Sequence, residues 1–133
     1  MLNKTGRERF GMVIGTGMDV IEVGRVADAA GRGNYMDTFF TQREREHFGG
    51  ILKDARTIAG SIAAKEAAAR ALSVGFGGVC FRDIEIFHLP DGGVRAVLSR
   101  GALDRLNQLR GRVLNINISH IKELAVAQAI LED

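Results

Sequence analysis

The sequence predicts an α+β fold in one domain. Three observations carry the prediction: an Ala-rich segment from Arg56 to Leu72 with the composition of a helix, a Pro-Asp-Gly-Gly link between two β-rich runs, and helical and strand segments that do not alternate as a parallel sheet requires. At 133 residues the chain suits a single hydrophobic core. Residues 1–10 are polar and charged and read as a flexible N-terminal extension, leaving residues 11–133 as the domain.

Gly11 to Ile21 is rich in Val, Ile and Gly without a helical period, which predicts a buried strand running into a turn near Asp19. A short helix from about Glu22 to Ala30 is stopped by Gly31-Arg32-Gly33-Asn34, and Thr41 followed by Glu44 is a capping-box signature for a second, to about Phe48. Gly49-Gly50 then breaks the chain before the Ala-rich helix, where Glu66 and Arg70 are spaced for an i,i+4 ion pair. Ser73 to Gly78 is a Gly-rich loop, and Ile84 to Leu89 and Val94 to Leu98 form a hairpin around residues 90–93. Ser99 to Leu109 is an amphipathic helix closed by Gly111, and Val113 to Ser119 alternates with Leu114, Ile116 and Ile118 on one face. Glu123 to Leu131 is made of helix formers, so propensity predicts a helix; a tight turn at His120 would instead return it as an antiparallel strand.

Composition excludes several function classes. The net charge of +2, without a Lys/Arg run, leaves no nucleic-acid footprint, and no apolar run approaches the roughly 18 residues that span a bilayer. Cys80 is the single cysteine, which rules out an internal disulfide or a cysteine zinc cage, fits a reducing cytoplasm, and reads as a small buried hydrophobe.

Three positions are candidates for chemistry: Asp19 at a strand end, Lys65-Glu66 among alanines, and Ser119-His120 after a strand. A carboxylate behind Val13-Ile14-Gly15-Thr16-Gly17 is costly to bury unless paired or bound to a cation; its alternative is a helix N-cap. Glu66 is either a ligand or a solvated partner of Arg70. Two carboxylates with phosphate oxygens suit magnesium. Lys65 could give a phosphate a point charge, and the loop at Gly75, Gly77 and Gly78 could cradle one, although it lacks a Walker spacing. His120 is a phosphate or ribose contact, or a structural hydrogen-bonder.

In order along the chain, Gly15-x-Gly17-x-Asp19-x-x-Glu22-x-x-Arg25, Ala63-Ala64-Lys65-Glu66-Ala67 and Asn117-Ile118-Ser119-His120 resemble the holo-(acyl-carrier-protein) synthase family of 4′-phosphopantetheinyl transferases. The likeness extends through Phe39-Phe40-Thr41, Asp83-Ile84-Glu85-Ile86 and Ala125-Val126-Ala127. It implies a small antiparallel sheet packed with helices, assembling as a homotrimer, with residues 123–131 as a strand. It implies transfer of the 4′-phosphopantetheine arm of coenzyme A to a serine of an apo acyl carrier protein, in fatty-acid or polyketide biosynthesis, with release of 3′,5′-adenosine diphosphate. By the same match Asp19 and Glu66 would hold Mg²⁺, and Lys65 would lie beside the phosphates and act with them in catalysis. Arg56, Arg70, Gly75 and His120 would help bind coenzyme A, and Arg25 would meet the carrier. The base for the serine proton is either a water or hydroxide held by Asp19 and the metal, or Glu66.

The chain departs from this pattern at Ser61-Ile62, where the family carries Arg-Phe, at Asn117 in place of serine, at Ile121 in place of threonine, and at Thr38 in place of a basic residue. Lys53, Arg56 or Arg70 could compensate for the missing cation. The competing reading is a weak or inactive member that binds a carrier protein or a pathway enzyme.

Overall fold

Residues 11–48, 54–73 and 79–133 are described by the structure, a computed structural model. The expected N-terminal extension, Gly49-Gly50, Lys53 and Gly75 with its neighbours lie outside the described residues.

The first strand, β1 (Val13–Glu22), does not turn at Asp19. It runs on and pairs antiparallel with β5 (Leu124–Glu132), which pairs on its other side with β4 (Val113–Ile121), giving a three-stranded sheet in the order β1-β5-β4. The propensity reading of Glu123 to Leu131 as a helix is thus overturned. Alternate residues Ala125, Ala127, Ala129 and Leu131 are buried on one face, and position in the middle of a sheet outweighs intrinsic preference. The connecting turn is Lys122-Glu123 rather than His120, with Lys122 in the left-handed region at φ 54°.

Helix α4 (Ala55–Ala71) lies across this sheet in contact with all three strands. Asp54 caps its first turn, its side chain accepting from the Arg56 and Thr57 amides. The core runs from the α4 alanines to Ile116, Ala127, Ala129 and Leu131, with Leu114 and Ile118 packed against it, as the alternation in β4 predicts. Helix α1 (Val23–Ala29) and α2 (Tyr35–Phe39) pack through Val23, Val26, Met36 and Phe40 onto the early turns of α4. A five-residue helix such as α2 leaves no periodicity to read and is held by tertiary packing.

Helix α3 (Gln42–His47) starts with the expected capping box: Thr41 Oγ1 accepts from the Glu44 amide, and the Thr41 amide donates to Glu44 Oε1. The predicted hairpin is β2 (Ile84–His88) with β3 (Val94–Leu98), preceded by a 3₁₀ turn at Phe81–Asp83 and followed by α5 (Arg100–Gln108). The outer edge of β2 is covered by side chains instead of a strand. Lys65 Nζ donates to the Ile84 carbonyl, the Ile86 amide donates to Glu44 Oε2, and the His88 amide donates to His47 Nε2. Cys80, expected to be buried, is exposed because it precedes the 3₁₀ turn at the surface.

Candidate active site

Two glycines bring the site together. An added Cβ at Gly17 would lie 1.9 Å from the Ala67 carbonyl oxygen, and one at Gly15 would lie 2.1 Å from that of Ala71. The last turns of α4 therefore rest directly on the backbone of β1. Asp19, two residues beyond Gly17 on the same face of the strand, meets Glu66, the residue before Ala67. Asp19 is not the helix N-cap that its sequence context allowed: it sits inside β1 opposite Ala127, and Glu22 occupies the cap position of α1.

The electrostatics of the pair are those of two carboxylates sharing one proton. Burial, then a hydrogen bond to Asp19 and the charge of Asp19, push the Glu66 carboxyl up to about 8, with Arg70 opposing. Arg70 turns to Asp19 rather than forming the expected bond to Glu66. Its Nη1 donates to Asp19 Oδ1 at 3.1 Å and to the Met18 carbonyl. The Asp19 side chain is 11% exposed, and, apart from a proton on Glu66, its Oδ2 is buried without a hydrogen-bond partner. An orphaned anionic oxygen beside a second carboxylate is the donor set of a hard cation. Among the described residues no third His, Cys, Asp or Glu joins the pair, which suits an ion that completes its shell with water and phosphate.

Lys65 has a different place from the expected one beside a phosphate. Its ammonium is fully buried and donates to Glu44 Oε1 at 2.8 Å, to the Phe81 carbonyl at 2.9 Å and to the Ile84 carbonyl. All three N–H groups are spent inside the protein. Arg70, 48% exposed and held on Asp19, is the cation that borders the pair.

Relatives of known identity share this frame. The holo-(acyl-carrier-protein) synthase of Clostridium perfringens is 37% identical over 129 residues, covering 91% of this chain and 95% of the relative. That of Clostridium novyi is 40% identical over 122 residues, covering 91% and 88%. The chain belongs to the holo-(acyl-carrier-protein) synthase family. Among solved structures, the Bacillus anthracis synthase in complex with CoA (3′,5′-ADP) matches with a TM-score of 0.76 at 32% identity, over 92% of this chain and 98% of that one. No protein-family model matches the chain.

As a member of the holo-(acyl-carrier-protein) synthase family the chain is a phosphopantetheinyl transferase, and its departures from the family pattern take on a location. Ser61 is fully buried and its hydroxyl is 2.9 Å from His88 Nε2, so an arginine there would have to displace His88. Burial, then the neighbouring His47 and His120, push the His88 imidazole below its ordinary value. His120 and Arg56 are brought together: His120 Nε2 is 2.8 Å from the Arg56 carbonyl, while Arg56 Nη1 donates to the Lys122 carbonyl. They are not brought to the carboxylate pair, since ten residues of α4, about 15 Å, separate Arg56 from Glu66. Arg25 is exposed on α1.

Two residues escaped the sequence reading. Tyr35 on α2 faces the site, its phenol pushed up by burial and by the charge of Glu66, so it remains a donor at neutral pH. Glu44 was legible as a capping residue, but nothing in the capping signature says that its carboxylate also meets Lys65.

Proposed function

We propose that this chain transfers 4′-phosphopantetheine from coenzyme A to a serine hydroxyl of an apo acyl carrier protein, with Mg²⁺ at Asp19 and Glu66 and release of 3′,5′-adenosine diphosphate. The observation that carries the reading is the Asp19–Glu66 pair with its partnerless Asp19 Oδ2, bordered by Arg70. Coenzyme A in the Bacillus anthracis complex supports the choice of substrate.

In the reaction the serine oxygen attacks the phosphorus of the pantetheine-bearing phosphate. A P–O bond forms, the diphosphate P–O bond breaks, and the nucleotide leaves with the bridging oxygen. A bound Mg²⁺ would neutralise charge on the phosphate oxygens and hold them in line. Asp19 and Glu66 would hold that ion, and Arg70 would give a planar donor to the phosphates. The serine proton leaves towards the carboxylate pair, to Glu66 or to a water beside Asp19. Arg25 on the exposed face of α1 offers a cation to an acidic carrier.

The working form is a homotrimer. Ile14, Met18 and Val20 on β1, Ile121 on β4 and Leu124 on β5 leave the sheet face away from α4 apolar and exposed, which supports a second copy against it. A neighbouring copy would set the His120–Arg56 end of one chain towards the carboxylate pair of another, with coenzyme A between them.

Incubation with coenzyme A, Mg²⁺ and a panel of fatty-acid and polyketide apo carriers, followed by carrier mass, tests the reading. A gain of one phosphopantetheine group is expected, and the carrier that reacts names the pathway. Binding of a carrier without any mass gain would overturn it in favour of a docking role.

A further inference from the structure

We propose that Glu44 and Lys65 are positioning residues whose buried ion pair sets the register and rotation of α4, and so holds the Glu66 carboxylate against Asp19. The inference rests on the transferase reading of that pair and adds a role that neither residue has in it.

Helix α4 has little shape of its own. Its buried positions include Ala59, Gly60, Ala63, Ala64, Ala67, Ala68, Ala69 and Ala71, and ridges of alanine are shallow, so apolar packing alone allows the helix to slip or rotate at small cost. The polar contacts do not. Lys65 Nζ has acceptors on three separate elements: Glu44 on α3 at 2.8 Å, Phe81 on the 3₁₀ turn at 2.9 Å, and Ile84 on β2. Glu44 is equally committed, Oε1 accepting from the Thr41 amide at 3.1 Å and Oε2 from the Ile86 amide at 2.9 Å. Both side chains are 0% exposed. A one-residue slip would leave two buried charges without partners, a large penalty that no alternative register offsets.

A second grip lies two and six residues further on, where Ala67 and Ala71 rest on Gly17 and Gly15. Glu66 sits between the two. Neighbouring residues of a helix differ by about 100° in direction, so the rotation that aims Lys65 at α3 and β2 also fixes where Glu66 points. Lys65 touches no reacting atom in this arrangement; it acts through Glu66.

The decisive comparison is Lys65→Met against Lys65→Met with Glu44→Gln. The single substitution strands the Glu44 carboxylate. The double removes both charges, while the single amide oxygen introduced by Glu44→Gln still accepts from one of the two N–H groups that Glu44 serves, that of Thr41 or that of Ile86. Lys65→Met is expected to lose thermal midpoint, about 100-fold or more in kcat, and Mg²⁺ affinity, and the double variant to recover much of the midpoint but neither kcat nor Mg²⁺ affinity, because no stranded charge then penalises a slip of α4. A double variant that recovers kcat and Mg²⁺ affinity would show that apolar packing alone aims Glu66, and one that keeps Mg²⁺ affinity but raises the KM for coenzyme A would mark Lys65 as a phosphate contact; either result would overturn the proposal. Calorimetric Mg²⁺ affinity, read without any carrier, separates this outcome from failure of the transferase reading. Should the double variant not fold, the wild-type protein decides: reductive methylation followed by mass mapping should leave Lys65 unmodified with and without Mg²⁺ and coenzyme A. Methylation of Lys65 would show that it leaves its cage, and would sink the idea.

Discussion

Glu66 is a carboxyl at which a proton and the proposed Mg²⁺ would compete for one place. With its value raised from 4.5 to about 8, the folded protein binds a proton that the unfolded chain releases across that window. The stabilisation from this proton is therefore complete below pH 4.5 and is lost as pH rises through about 8. The metal-free protein should lose thermal midpoint between those limits, and Mg²⁺ should restore it most at the alkaline end. Mg²⁺ binding at about pH 7 should also release close to one proton, which calorimetry in buffers of different ionisation enthalpy would measure. Release that persists undiminished in Glu66→Gln would assign the proton elsewhere. At this scale the two carboxylates were legible in the sequence because their motifs flank them. The place of Lys65 was not: a helix pattern says that residues 65 and 66 point apart, but not which of them faces the cleft.

Among the elements, the contact of β1 with α4 matters most. A methyl group at Gly17 would have to displace the Ala67 carbonyl, which is backbone and cannot rotate away. Gly17→Ala should cost about 3 kcal/mol in stability, the upper end of what overpacking a tight core costs, and should remove Mg²⁺ binding by parting Asp19 from Glu66. Denaturant unfolding and calorimetry would check both. A variant that keeps Mg²⁺ affinity would show that the strand shifts along with the helix. The Ala-rich helix, the short helices α1 and α3 and the hairpin could be read from composition and turn chemistry. The fifth strand could not, because its alanines are there for their small size: they let α4 lie close across the middle of the sheet, a demand that comes from elsewhere in the chain.

For the whole molecule, the apolar outer face of the three-stranded sheet lies open to a partner. Native mass is expected to be that of a trimer, and Ile14→Glu, which charges this face while leaving Asp19 and Glu66 untouched, should shift it to monomer and lower coenzyme A affinity. A monomeric wild-type protein would refute the assembly.

The side chains over the outer edge of β2 bear on the same question. An uncovered strand edge attracts strands of other molecules without regard to their identity and adds them without end. Here Lys65, Glu44 and His47 already occupy the Ile84 carbonyl and the Ile86 and His88 amides. Growth from that strand into a fibre is blocked, which leaves the proposed assembly to the outer face of the three-stranded sheet. Loss of Glu44 or Lys65 would thus endanger solubility as well as the aim of Glu66.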